Sequence, residues 1–466
     1  MSLADDLIRT LRSRGRMPAK ALREALGVSR ATLMRAVRAA GPAVLTIGQA
    51  RRTSYAARRL LRGRAAPVPV FEVDERGRSS EVARLHLAYP RGGVLELRAA
   101  LRWPANESMR DGWCDGLPYF LQDLRPDGFL GRQLARAHAR MLEVSDDPRL
   151  WSDDDVLHVI ALLGVDASGN FIVGEGAYRS WLDRVQEGPL ECLEDGEVAQ
   201  AYGERARLAM QYGPAGSSAA GEFPKFLALR TLQRTPTHVL VEFSGSDRSR
   251  GTRRWSDLLV CEHLAGDAAG TLPGLRAARS QVLRSGNRTF LESVRFDRHG
   301  IRGRSALCSW AAFDNAWFGL AGRPWTEGAE RLFERALIDL ETRDAVARLW
   351  HFGQLIGNTD MHGANLSLAL RDVGRPGPPL ELAPVYDMLP MLYAPQRGVE
   401  LPPVKLMPRL PLPAEGAAWE QSASAAGAFW AKAAGDPRIS AGFRAICEQN
   451  ARAVRKAMGL LRGGTG

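Results

Sequence analysis

The spacing of apolar residues changes several times along the 466 residues, and each change marks a new kind of element. Leu3, Leu7, Ile8 and Leu11 fall on one face of a helix. A second helix runs from Pro18, a favourable first-turn residue, through Ala21, Leu22 and Leu26 to Gly27. Ser29 is placed to cap a third over residues 30–40, which Gly41 and Pro42 stop. The turn Leu26-Gly27-Val28-Ser29 is that of a helix-turn-helix, with the third helix as its reading helix. Residues 44–47 and 53–56 then read as a β-hairpin in the place of a wing, and a basic, proline-containing stretch from Arg58 to Pro69 reads as a linker.

From Val68 the period becomes two. Residues 68–73, 82–87 and 93–98 read as strands of a small antiparallel sheet, broken by Asp74-Glu-Arg-Gly77 and Pro90-Arg-Gly-Gly93. An amphipathic helix follows over 130–142, a strand over 237–243, a helix over 256–265 and a strand from Thr289. Ala345, Val346, Leu349, Trp350 and Gly353 recur at helical spacing, so a helix should end near Gly357 and Asn358. Leu366 to Leu370 and Leu380 to Pro384 read as two short strands around a turn-rich run. Paired as a hairpin, they bring Asn365 and Asp387 together, with Asp360 on the loop before them. Residues 416–462 read as helices.

Charge changes the picture at one end. Residues 1–64 hold 15 Arg and Lys against 3 Asp and Glu, a net +12, while the whole chain carries +11, so the remainder is close to neutral. The excess is a localised surface for a polyanion, and double-stranded DNA fits it. Arg30, Thr32, Arg35 and Arg38 would lie on the exposed face of the third helix, and Arg51 and Arg52 at the hairpin tip. Two-fold DNA sites would suit a homodimer. Five cysteines without C-x-x-C spacing, no secretory pattern and no apolar run long enough for a bilayer predict a reducing cytoplasm and no membrane contact.

Two carboxylates and a carboxamide brought to one point are hard-oxygen ligands suited to Mg²⁺, with one carboxylate left to orient a hydroxyl, the arrangement of a phosphotransferase. Gly213 to Lys225 is rich in small residues, which lets backbone N–H groups approach a phosphate. Lys225 ends it in a chain with 58 Arg and only 5 Lys, where a compact point charge is a deliberate choice.

Gly357-Asn-Thr-Asp-x-His-x-x-Asn365-x-Ser367 followed by Pro384-x-Tyr-Asp387 resembles the catalytic loop and metal-binding segment of the HipA-like serine/threonine kinases of bacterial toxin–antitoxin systems. The resemblance covers about 70–440, and the fused basic segment is similar to the YjjJ-like subgroup. It implies an α+β fold: a winged helix-turn-helix over 1–60, a linker over 61–68, a two-lobed kinase-like region with a small-sheet N-lobe over 69–295, and a mostly helical C-lobe over 296–466. It implies ATP and Mg²⁺ as cofactors, a protein substrate and an antitoxin partner. Asp360 would be the catalytic base, acting with Asn365, while Asn365 and Asp387 would hold the metal. Ser218, Gly221 and Lys225 match the family's phosphate loop, Ser218 at its autophosphorylation position. Val294 and Phe296 would hold adenine, and His362 would help hold the nucleotide-binding loop.

One departure stands out. Where the family carries a nucleotide-binding lysine, this chain has Glu242 or Val241. Lys225 or an arginine could supply the charge, or ATP binding could be weak or lost. Asp257 and Glu262 are both acidic candidates on the counterpart of the kinase C-helix. Two other functions fit parts of the pattern: a DNA-binding regulator with a non-catalytic kinase-like sensor, and a metal-dependent nuclease.

Overall fold

A computed structural model describes residues 2–186, 192–211, 223–396, 401 and 403–463. At the N-terminus, α1 (Leu3–Arg14), β1 (Met17–Pro18), α2 (Ala19–Leu26), α3 (Arg30–Ala40), β2 (Val44–Ile47) and β3 (Ser54–Ala57) form three helices against a sheet of order β1-β3-β2. Ser2 and Asp5 make a reciprocal capping box at the start of α1, and Ser29 accepts the Thr32 N–H at the start of α3, the groups those helix ends would otherwise leave unpaired. Leu7, Leu11, Leu22, Leu33 and Tyr55 make the small core. Gly48 turns the hairpin at φ +71°, where an added Cβ would meet the Arg52 carbonyl at 2.9 Å.

This unit does not hang on a free tether. Leu45, Ile47 and Ala56 pack with Ala88 and Trp113 of the next segment. Asp111 receives Arg52 at 3.3 Å and Arg16 at 4.0 Å. Arg59 and Arg62 are bonded to Asp154 and Asp155, so the basic stretch after β3 is held along its length.

Next come β4 (Val68–Val73), β5 (Ser79–Leu87), β6 (Gly93–Leu97), β7 (Trp113–Cys114), α4 (Tyr119–Gln122), α5 (Gly128–Leu142), α6 (Asp153–Leu163), β8 (Phe171–Val173) and α7 (Glu175–Gln186). The strands make an antiparallel sheet of order β7-β6-β5-β4-β8. A second antiparallel sheet, β11-β12-β10-β9, is built after α8 (Val198–Ala209) from β9 (Lys225–Leu232), β10 (Thr235–Phe243), β11 (Ser280–Ser285) and β12 (Arg288–Val294), with α9 (Arg250–Ala269) inserted between β10 and β11. The sequence predicted one small sheet before residue 295, and there are two, because β9 to β12, which lie beyond the first alternating run, pair with one another.

The remainder holds β13 (Arg298–His299), β14 (Gly303–Arg304), β15 (Leu307–Ser309), α10 (Trp310–Trp317), α11 (Trp325–Glu334), α12 (Leu340–Ile356), β16 (Ser367–Leu370), β17 (Leu380–Leu382), α13 (Gly416–Gly435) and α14 (Ala441–Gly463). β16 and β17 pair antiparallel, Leu368 opposite Leu382, and β15 adds a third strand. The apolar stripe of α12, including Leu349, Phe352 and Ile356, is buried in the main core with Trp419, Phe429 and Trp430. Truncating fully buried Phe352 to alanine would cost about 3–5 kcal/mol. No described helix is long and apolar enough to cross a membrane.

Candidate functional site

The site is organised by the end of α12. Gly357 ends the helix at φ +74°, a left-handed cap that glycine adopts without strain. One turn earlier an added Cβ on Gly353 would stand 2.4 Å from the Met361 sulfur, so this glycine lets the following loop fold back onto its own helix.

The loop is then held by its own polar groups. Buried Asn358 accepts the Asp360 N–H at 3.0 Å. Asn365 donates its carboxamide N–H to the Asp360 carbonyl at 3.0 Å, and His362 Nδ1 accepts the Ala364 N–H at 3.2 Å. That leaves His362 Nε2 facing Asp360 Oδ1 at 3.7 Å. The Tyr386 hydroxyl bonds Ser367 at 2.8 Å and donates to the Ala364 carbonyl at 2.6 Å, fixing the segment before Asp387 to the loop. Asp387 itself sits at φ +53°, an uncommon backbone state for a residue with a Cβ.

Asn365 is thus bonded to the Asp360 backbone and Asp360 acts electrostatically on Asp387, and beside Asp387 lies a cluster that the sequence left open. Lys225 opens β9 directly opposite Glu242 on β10, and its Nζ lies 2.5 Å from Glu242 Oε1. Burial alone would lower the lysine's pKa, but Glu242 and Asp387 hold it above the usual value. Asp387 is pushed up to about 6, by burial first and then by Glu242, with Lys225 opposing. Glu262 on α9 is driven well above the carboxylate range by burial and by Glu242 and Asp387. One oxygen on each of Glu242 and Glu262 is buried without a partner.

Of the two candidate acids on α9, Asp257 and Glu262, it is therefore Glu262 that belongs to this cluster. Asp257 instead accepts the Ser440 N–H at 2.7 Å and its hydroxyl at 2.6 Å, tying α9 to the start of α14. Val294 closes β12 with its N–H donated to the Arg279 carbonyl at 2.8 Å, and Phe296 packs 5.9 Å from the Tyr386 ring. Ser218 and Gly221 lie outside the described residues.

Among the described residues no three Asp, Glu, His or Cys side chains form a ready metal cage. Mg²⁺ does not require such a cage, since it takes one or two protein oxygens and completes its shell with water and substrate phosphates. Asn365 and Asp387 carry oxygens of that type.

A cleft of about 1180 Å³ opens on the loop, lined by Asp360 and His362 but by none of Lys225, Glu242, Glu262 and Asp387. Asp123 on its wall accepts the Ser309 N–H at 2.5 Å and hydroxyl at 2.6 Å. Sequence reading saw only a core-facing turn there, since nothing local marks a carboxylate whose partner is 186 residues away.

In the basic unit, Arg30, Arg35 and Arg38 of α3 are exposed, as are Arg51 and Arg52. Thr32 is half-buried, its hydroxyl engaged with Ser29 at 3.0 Å and Arg35 at 3.2 Å.

Residues 64–182 match the family model described as "YjjJ-like toxin, middle domain", and residues 217–458 match "HipA-like C-terminal domain". The chain is 36% identical over 446 residues to Toxin YjjJ of Escherichia coli (strain K12), covering 95% of this chain and 96% of that one. Among solved structures, the HipA, HipB and operator DNA complex of Shewanella oneidensis MR-1 aligns with a TM-score of 0.47 at 15% identity, over 84% of this chain and 95% of that one. The Helicobacter pylori proinflammatory kinase CtkA aligns at 0.35 and 10% identity, over 53% and 97%. By both family matches and by near full-length identity to a curated toxin, the chain belongs to the HipA-like toxins, in the branch that carries a YjjJ-like middle domain.

Proposed function

We propose that this toxin is an ATP- and Mg²⁺-dependent serine/threonine protein kinase carrying its own DNA-binding winged helix. The observation that carries the reading is Lys225 across from Glu242, beside Glu262 and Asp387. The cation missing from β10 stands on the neighbouring strand, which removes the main argument for a non-catalytic sensor.

In this reading Lys225 binds the nucleotide phosphates, with Glu262 and Glu242 keeping its ammonium charged and placed. Asn365 and Asp387 hold Mg²⁺, which when bound neutralises charge across the transferred phosphate. Asp360 orients the acceptor hydroxyl and receives its proton as the oxygen–phosphorus bond forms and ADP leaves. Its neighbours Asn358 and Asn365 fix its backbone, and His362 holds the loop. The acceptor protein enters through the cleft that includes Asp360. Ser218 is the position for self-phosphorylation.

Three helices followed by a hairpin, five exposed arginines on the reading helix and hairpin tip, and the net +12 support DNA binding by residues 1–64, mainly through phosphates. Incubation of the full chain with labelled ATP and Mg²⁺ tests the enzyme. Asp360→Asn should keep nucleotide binding and lose transfer, and Asp387→Ala should lose metal-dependent binding. An Asp360→Asn protein that transfers phosphate normally would overturn the assignment.

A further inference from the structure

A second cavity, of about 360 Å³, lies away from the Asp360 loop, between the end of α7, α8 and the outer strands of the second sheet. Its charges do not balance. Five arginines line it, Arg184, Arg205, Arg298, Arg302 and Arg304, against one acid among the described lining residues, Asp166.

Arg298 and Arg304 face each other across β13 and β14, and like charges placed opposite repel. Arg298 is compensated, with Asp297 at 2.7 Å and Asp166 at 3.4 Å. Asp166 and Asp297 are also shared with Arg295. Arg304 has no carboxylate within ion-pair distance among the described residues. It is 5% exposed, donates Nη2 to the Val165 carbonyl at 2.5 Å, and has Nη1 buried with no partner. Burial first and Arg298 second depress its pKa to about 9, the mark of a cation without a counter-ion. A guanidinium keeps its proton inside proteins, so such a site calls for an anion.

We propose that this cavity binds a small phosphate-bearing anion, with Arg304 at its base, exposed Arg184 and Arg302 at its mouth, and the ring of Trp181 as an apolar wall. Its volume lies at the lower end of the range of small-molecule sites, about 300–1,000 Å³. Planar guanidinium forks match the oxygens of phosphate and carboxylate alike, and five arginines lining one space favour the more highly charged phosphate.

The test is calorimetric titration of the full chain with inorganic pyrophosphate in the absence of Mg²⁺, with sulfate at matched ionic strength as control. Wild type should bind pyrophosphate saturably and melt at higher temperature when loaded. Arg184→Ala and Arg302→Ala, both at exposed positions, should each weaken binding by about tenfold. Arg304→Met should remove it while the unliganded protein melts no lower than wild type. Lys225→Ala should bind pyrophosphate as wild type does, which separates this cavity from the proposed nucleotide site. Undiminished binding in the two exposed variants, loss of binding in Lys225→Ala, or an equal response to sulfate would overturn the proposal.

Discussion

Replacing Lys225 by methionine would strip the cation from three carboxylates at once. The side chain of Glu242 is 8% exposed and that of Lys225 23%, and their charged atoms are 2.5 Å apart. Removing one partner of a buried pair costs about 3–5 kcal/mol, because the other is left charged and dry. Lys225 is partly exposed, and Glu242 can share a proton with Glu262 once the lysine is gone, so the lower end applies, about 3 kcal/mol. At roughly 2 °C per kcal/mol for a large chain, the melting temperature should fall by about 6 °C. The double variant Lys225→Met with Glu242→Met removes both charges and keeps the bulk, so stability should return close to wild type, since an apolar pair of similar shape replaces a buried ion pair nearly without loss. Mg²⁺–ATP affinity, measured by calorimetry, should fall in the single variant and stay low in the double. Recovery of nucleotide binding in the double variant would show that Lys225 serves only the packing of the sheet, and wild-type affinity in the single would remove it from the site.

Asp257→Ala should lower stability by about 2–3 kcal/mol through loss of two hydrogen bonds to Ser440, with nucleotide affinity unchanged, whereas Glu262→Gln should reverse that pattern; melting curves and calorimetry on the two variants decide. Asp111→Asn releases Arg16 and Arg52 from a surface ion pair and should raise DNA affinity about two- to fivefold at low salt, an effect that fades at high salt in a binding titration. Burial would raise the pKa of Asp297, but Arg295 and Arg298 hold it well below the unfolded value of about 3.9. Its contribution is therefore fully present above about pH 4 and is lost as the pH falls through the lower, folded value. Urea midpoints of wild type and Asp297→Asn should differ at pH 7 and converge below about pH 4, and a constant gap down to acid pH would refute this.

What could be read from sequence was local. The end of α12 at Gly357, the Ser29 cap of α3 and the pairing of β16 with β17 follow from periodicity and turn chemistry. Register between separate strands does not, so sequence alone left open whether Lys225, an arginine or nothing replaces the cation at Glu242, although Lys225 faces that glutamate across β9 and β10. Asp257 and Glu262 stand five residues apart on one helix, about 140° around its axis, and an amphipathic pattern does not say which face meets the sheet and which meets α14. β15 has only three residues, too few to show alternation. The stretch after β3 has the composition of a linker, and the acids that hold it, Asp154 and Asp155, are more than 90 residues away.

The seating of the hairpin against Ala88 and Trp113, with Asp111 gripping Arg52 at its tip and Arg16 just before β1, has a geometrical consequence for any duplex bound at α3. If α3 reads DNA as proposed, its seating on the body of the protein would give the Asp360 cleft a fixed bearing on the DNA axis. An acceptor protein bound to the same duplex would come under that cleft on one side of the double helix only. Its phosphorylation would then rise and fall with the spacing between the two binding sites, with a period of about 10.5 base pairs, as the helical repeat turns it toward the cleft and away again.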